Sequence, residues 1–152
     1  YYVMQGEFYT EGAHGDRGLQ PFSYDKAVDE RPDYVVFNGS VGAMTGDNAP
    51  RIDKGETVRI FVGNGGPNLA SSFHVIGEIF DKIYPNGSLD QPQNDVQTVL
   101  VPAGGAVITE LDLKVPGRYV LVDHSLSRAE RGLAGWLDVE GEENLEIFDP
   151  MA

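Results

Sequence analysis

The chain's 152 residues fit one domain, and a chain of that size buries roughly 68–70% of its unfolded surface, enough for a core without covalent staples. It contains no cysteine, which excludes disulfides, thiolate zinc sites, iron–sulfur clusters and any copper centre that needs a thiolate ligand. Twenty-four acidic residues against eleven basic ones give a formal charge of −13, which argues against nucleic acid and anionic membrane surfaces as partners.

No run is long and apolar enough to span a membrane, and no signal peptide opens the chain. The start, Tyr1-Tyr2-Val3-Met4, has no initiator methionine, so the expectation is a piece excised from a longer protein. An acidic surface with few lysines (Lys26, Lys54, Lys82 and Lys114) is expected of a halophile, where concentrated salt screens self-repulsion.

Tyr1 to Met4 makes a first strand, followed by a polar glycine-rich loop, Glu11 to Gly18, in which His14 is expected to be exposed and uncommitted. Tyr24 to Arg31 predicts a turn or two of helix that Pro32 ends. Tyr34-Val35-Val36-Phe37 is a strand, and Asn38-Gly39 after it is a turn signal. Thr57 to Val62 alternates as a strand. The following Gly63-Asn64-Gly65-Gly66-Pro67-Asn68 lacks the third glycine and the helix start that a phosphate-binding loop needs, and reads as a plain loop.

Ser71 to Phe80 is the densest apolar stretch; Phe73, Val75, Ile76, Ile79 and Phe80 predict a short buried strand carrying His74. Val96 to Val101 is another strand, closed by Pro102-Ala103-Gly104-Gly105. Val107, Thr109, Leu111 and Leu113 alternate with polar or exposed positions, as in a half-buried strand. Pro116-Gly117 turns the chain into Val120-Leu121-Val122-Asp123-His124-Ser125, a second apolar run ending on a histidine. Ser125 to Arg131 is a loop or single helical turn, and Trp136 to Val139 the last strand. Short strands between Gly/Pro turns, with at most short helical turns, predict an all-β Greek-key sandwich. One domain over residues 1–140 and an acidic tail over 141–152 are expected.

Asp123-His124-Ser125 contains the residue types of a hydrolase triad, but neighbours on a strand point to opposite faces and cannot converge. Asn38-Gly39-Ser40 and Asn86-Gly87-Ser88 match the glycosylation acceptor pattern, yet Asn-Gly is also the commonest hairpin turn. There remain two histidines, His74 and His124, both expected to point inward from their strands. A complete transition-metal site takes three or four protein ligands, and the acidic residues are scattered. Spacing therefore yields half a site, whose other half comes from another chain, from a missing domain, or does not exist.

Several motifs together resemble the second domain of copper-containing nitrite reductases. They are Gly63 to Asn68 with Ser71 to Asp81, Val96-Gln97-Thr98 with Val101 to Gly105, and Pro116-Gly117-x-Tyr119-x-Leu121-Val122-Asp123-His124-Ser125-x-x-Arg128-Ala129. Gly132-x-x-Gly135, Val139-Glu140-Gly141, and upstream Tyr34 to Gly39 with Val41 to Gly46 extend the likeness, which is weakest from Glu7 to Arg31. The resemblance implies a sandwich of the cupredoxin type and a reductase that converts nitrite to nitric oxide. It implies that His124 ligates a type 2 copper shared between subunits of a homotrimer, while His74 stands beside nitrite as an acid–base group. Ile76 is implied to pack over the substrate and Thr98 to hydrogen-bond towards His74. The first domain, with its type 1 blue copper, is missing, so this chain alone is expected to be inactive. An electron donor protein and an extracytoplasmic location, periplasmic or at the cell surface, are further implications. The alternatives are a non-catalytic packing or oligomerisation domain of a multicopper oxidase and a stand-alone acidic binding module.

The charge reading is tested by salt. Screening shortens from about 10 Å at 0.1 M to about 3 Å at 1 M, so the melting temperature is expected to climb steeply between dilute buffer and molar potassium chloride. A flat curve would remove the halophile reading.

Overall fold

Eleven strands and little helix make up the computed structural model, which describes residues 1–143, 145–147 and 149. The strands β1 (Tyr2–Phe8), β2 (Tyr34–Phe37), β4 (Thr57–Asn64), β6 (Phe80–Pro85), β7 (Gln93–Val96) and β9 (Ala106–Asp112) form a six-stranded sheet in the order β2-β1-β4-β9-β6-β7. The strands β3 (Arg51–Asp53), β5 (Ser71–Ile76), β8 (Val99–Val101), β10 (Gly117–Asp123) and β11 (Gly135–Glu140) form a five-stranded sheet in the order β3-β11-β10-β5-β8. Only β1–β2, β6–β7 and β10–β11 are sequential neighbours within one sheet; every other connection crosses between the sheets. The pairs β1–β4 and β3–β11 are parallel, which only such crossing connections permit. Among the described residues no helix is long and apolar enough to cross a membrane.

Period-two alternation fills the space between the sheets. Val58, Ile60 and Val62 of β4 face inward beside Val107, Thr109 and Leu111 of β9, as their sequence pattern predicts. Against them the five-stranded sheet sets Phe73, Val75, Leu121, Leu137 and Val139, all buried. At the centre Phe73 meets Phe37 edge-on with ring centroids 6.1 Å apart, and stacks on Phe80 at 5.8 Å.

Four local expectations need correction. The run Ser71 to Phe80 is not one buried strand: Gly77, at φ +94°, turns the chain out of β5, and Phe80 opens β6 in the other sheet, leaving Ile76 and Ile79 exposed. Val96 to Val101 likewise divides, with β7 in one sheet and β8 in the other. The helix α1 (Tyr24–Val28), capped by the Ser23 hydroxyl accepting from the Lys26 N–H, stops short of Arg31 because Glu30 takes φ +55°. Of the two Asn-Gly turns, Asn86-Gly87 lies in the β6–β7 hairpin, whereas Asn38-Gly39 leads out of β2 towards the other sheet, and Asn38 Oδ1 accepts from the Met4 N–H at 2.8 Å.

Two loops are better fastened than their composition suggests. Asn64, at the end of β4, is buried and donates through Nδ2 to the carbonyls of Leu69, at 2.7 Å, and Val101, at 3.1 Å. Asn68 donates its backbone N–H to Glu7 Oε1 at 2.7 Å and its amide to the Tyr9 hydroxyl at 2.8 Å, so the glycine-rich loop is sewn to β1 and its extension. His14 is exposed but committed: its Nδ1 donates to the Asp33 carbonyl at 2.8 Å and its ring lies 4.6 Å from that of Tyr34. Of the expected acidic tail, residues 144, 148 and 150–152 lie outside the described residues.

Phe73 has no exposed surface and touches an aromatic ring on two sides. Phe73→Ala is expected to cost about 3–5 kcal/mol in urea unfolding of this chain. A loss under about 1 kcal/mol would mean that the ring cluster does not hold the two sheets together.

Candidate functional site

Strand register decides which way each histidine faces. β5 and β10 pair antiparallel, with Val122 opposite His74 and Asp123 opposite Phe73. Opposed residues share a face, as do residues two apart on one strand. One face therefore carries Ser72, His74 and Ile76 with Val120, Val122 and His124, and the other carries Phe73, Val75, Leu121 and Asp123. The second set is buried in the core. Both histidines thus stand on the outer face of the five-stranded sheet, not inward as their apolar neighbours suggest.

The two rings come together there, with centroids 5.4 Å apart and planes inclined at 47°. They differ in cover: His124 is exposed, whereas His74 is only 5% exposed. His74 Nδ1 lies 2.6 Å from the Gln97 carbonyl oxygen. A carbonyl only accepts, so Nδ1 carries the proton and Nε2 is the ring atom left for exchange or coordination. His74 also lines a shallow cleft with Gly77, Glu78, Ile79 and Gln97. Ile76 stands on the same face at 40% exposure, and Thr98 is exposed, next in the chain to the carbonyl that holds His74.

Beneath His124 lies a polar cluster inside the sandwich. The Asp123 side chain is fully buried. Its Oδ1 accepts from the N–H groups of Ser72, at 3.1 Å, and Ser125, at 3.0 Å. Its Oδ2 accepts from Gln5 Nε2, at 3.1 Å, and from the Arg128 guanidinium. Gln5 in turn accepts from the Ser71 hydroxyl at 2.7 Å, and Arg128 donates to the Ala70 carbonyl at 2.7 Å. Burial pushes the Asp123 carboxyl up, but the Ser125 and Ser72 N–H groups, the Gln5 amide and the Arg128 charge outweigh it and hold the group below the usual carboxylate range. Asp33 is held low in the same manner: burial opposes, while the Thr10 N–H and the Lys26 ammonium prevail.

Among the described residues no three His, Cys, Asp or Glu side chains gather as a metal cage. What the chain offers is two imidazoles on one open face, one of them exposed. That donor set suits a borderline transition metal such as copper, but only one whose coordination is completed from outside this chain.

No family model matches the chain. It is 60% identical over 149 residues to a copper-containing nitrite reductase of Neisseria meningitidis serogroup B, a match covering 97% of this chain and 38% of that protein. Identity to the copper-containing nitrite reductase of Neorhizobium galegae is 32% over 161 residues, covering 97% of this chain and 41% of that protein. Over nearly its whole length, the chain matches a segment of copper-containing nitrite reductases. It spans about two fifths of the length of these relatives. Among solved structures, a copper nitrite reductase from Nitrosomonas europaea superposes with a TM-score of 0.81 at 31% identity, over 96% of this chain and 50% of that one. One from Thermus scotoductus gives 0.80 at 29% identity, over 94% of this chain and 31% of that one. A multicopper oxidase, at a TM-score of 0.72 and 24% identity, shares the fold alone. The cupredoxin-type sandwich expected from the motifs is thereby established.

The residues singled out for this nitrite-reductase-like segment thus fall into one neighbourhood: His74, Ile76 and His124 share a sheet face, and Thr98 follows the residue bonded to His74. Gln97 was missed, and no side-chain signal could reveal it, since its contribution is a backbone carbonyl. Gln5 was missed because it lies 118 residues from Asp123 in the chain.

Acid stability follows from these two low carboxyls and from Asp138, whose carboxyl the Arg118 guanidinium also holds below the usual range. Unfolded aspartate titrates near about 3.9, above the folded values, so the stability these groups supply is complete above that pH and lost as pH falls through the folded values. In 1 M salt, with self-repulsion screened, urea unfolding is expected to give level stability from about pH 7 to 5 and a decline below about pH 4. Asp33→Asn should shallow that decline; an unchanged slope would show that Asp33 contributes nothing to it.

Proposed function

We propose that this chain is the C-terminal cupredoxin domain of a copper nitrite reductase, and that its exposed His124 is one of three histidine ligands of a type 2 copper completed by a neighbouring subunit. The observation that carries the reading is the pair of imidazoles on the outer sheet face, one exposed and one buried, with ring centroids 5.4 Å apart. A ligand destined for a shared centre has to stand outside its own core. The match to nitrite reductases over 97% of the chain gives the pair its chemistry.

In the longer enzyme the reaction takes nitrite, one electron and two protons to nitric oxide and water. Copper held at His124 would supply Lewis acidity towards the oxyanion and a one-electron redox couple. The remaining roles belong to this chain's own groups. With Nδ1–H committed to the Gln97 carbonyl, His74 presents Nε2 for proton exchange beside the substrate. Ile76 walls the position with an apolar side chain that limits how nitrite can lie and keeps competing water away. Thr98, exposed and next in the chain to the Gln97 carbonyl that orients His74, is the residue whose hydroxyl would hydrogen-bond towards that histidine.

The partners follow from the same reading. Relatives more than twice as long as this chain point to a further domain, which carries the blue type 1 copper and the other two histidines. Three subunits close a ring in which each interface completes one centre, and an electron donor protein docks on the other domain. This chain alone binds copper weakly, shows no blue colour and does not turn over. The location is extracytoplasmic.

Two substitutions in the full-length enzyme test the assignment. His124→Ala removes one metal nitrogen, so type 2 copper is expected to be lost while the blue centre and its colour remain. His74→Ala leaves the ligands intact, so copper content stays near normal while turnover falls about 10²–10⁴-fold and its pH profile loses a limb. Metal analysis beside nitrite turnover against pH decides. Copper lost in His74→Ala but retained in His124→Ala would reverse the two roles.

A further inference from the structure

The His124 ring makes no hydrogen bond among the described residues, so something other than its ring nitrogens must set where it points. Its backbone is clamped on both sides. The His124 N–H donates to the Ser72 carbonyl at 2.8 Å, and the next N–H, of Ser125, donates to Asp123 Oδ1 at 3.0 Å. The same oxygen takes the N–H of Ser72 at 3.1 Å, so one carboxylate oxygen binds the residue after His124 and the strand that His124 itself hangs from. The other oxygen is fixed from two directions, by Gln5 reaching across from β1 of the opposite sheet and by Arg128 reaching back from the 3₁₀ helix Leu126–Arg131. Arg128 is locked in turn on the Ala70 carbonyl, and Gln5 on the Ser71 hydroxyl.

We propose that Asp123, held by Arg128 and Gln5, is a positioning residue for His124: it sets the backbone from which the imidazole projects, and thereby tunes how tightly that imidazole holds a metal ion. The proposal rests on reading His124 as a ligand. Its logic is that of an outer partner of a metal ligand, except that it acts through the main chain instead of the ring nitrogen. The anchor lies in the core and the ligand on the surface, on opposite faces of one strand end. The core therefore imposes the ligand's direction before a neighbouring subunit arrives.

The test uses the full-length enzyme, with copper affinity measured by competition against a chelator and the type 2 copper EPR spectrum recorded on folded protein. Asp123→Asn keeps the shape but loses the charge that holds Arg128; Arg128→Lys keeps the charge but changes the donor geometry, and carries the test should the first variant fail to fold. His124→Ala is measured alongside. Type 2 copper affinity is expected to fall about 10–100-fold in either positioning variant, with altered EPR splitting and the blue centre untouched. A lowered melting temperature with affinity within twofold of the parent and an unchanged spectrum would overturn the proposal, because a merely structural role moves the first readout and not the others. Copper that survives His124→Ala overturns the ligand reading itself, and the positioning role with it. Copper lost in His124→Ala but undisturbed in both positioning variants overturns the positioning role alone.

Discussion

A carboxylate with no exposed surface is an expensive thing to place inside a β-sandwich, and the polar end of this core is arranged around one. Burying an isolated ion costs several kcal/mol even after relaxation, and removing a partner from a buried pair costs about 3–5 kcal/mol. Asp123 meets that demand with four donors drawn from β1, β5, the turn after β10 and the 3₁₀ helix beyond it. Apolar packing of Phe37, Phe73 and Phe80 holds the two sheets face to face but tolerates small slides between them. Hydrogen bonds to a fixed charge do not. The register between the sheets at this end is thus set by directional contacts, while the rest of the core supplies area.

Alternation carries that constraint to the surface. Because Asp123 must face inward to meet Gln5, His124 must face outward, and the antiparallel pairing of Val122 with His74 brings the second imidazole to the same side. A one-residue slip of β10 against β5 would exchange the two faces of β10, exposing Asp123 and Leu121 and burying His124 beside Phe73. The cost of such a slip protects the placement of the histidines without any contact to the histidines themselves. Chemistry at the outer face is consequently specified by packing at the inner one.

What could be read from the sequence divides along the same line. Elements with local signals were legible: Tyr34–Phe37 as a strand, and the alternation of Val107, Thr109 and Leu111 with a solvent face. Segments that change sheet were not, because Ser71 to Phe80 is continuously apolar although Gly77 sends its halves to different layers. An apolar run states that a segment is near the core, not which sheet it joins. The histidines' inward orientation was misjudged for a related reason: on a strand whose outer face is also partly apolar, with Ile76, Val120 and Val122 there, burial pattern does not separate the faces. The expectation that both histidines serve one site came from the resemblance, since the 49 residues between them carry no spacing signal of their own.

The orientation of His74 shows why such sites occur where ladders end. Within a sheet interior every carbonyl is already engaged by a neighbouring strand, and none is free to fix an imidazole. Gln97 lies between β7, in the six-stranded sheet, and β8, in the five-stranded one, where the chain crosses between layers and belongs to neither ladder. Its carbonyl is available for that reason, and it lands on His74 because β8 pairs with β5 through Val99 opposite Phe73. A side-chain acceptor in this place could titrate or rotate; a backbone carbonyl does neither. The Nδ1–H tautomer of His74 is therefore held by the topology of the sandwich, and no single substitution at Gln97 removes the group that holds it.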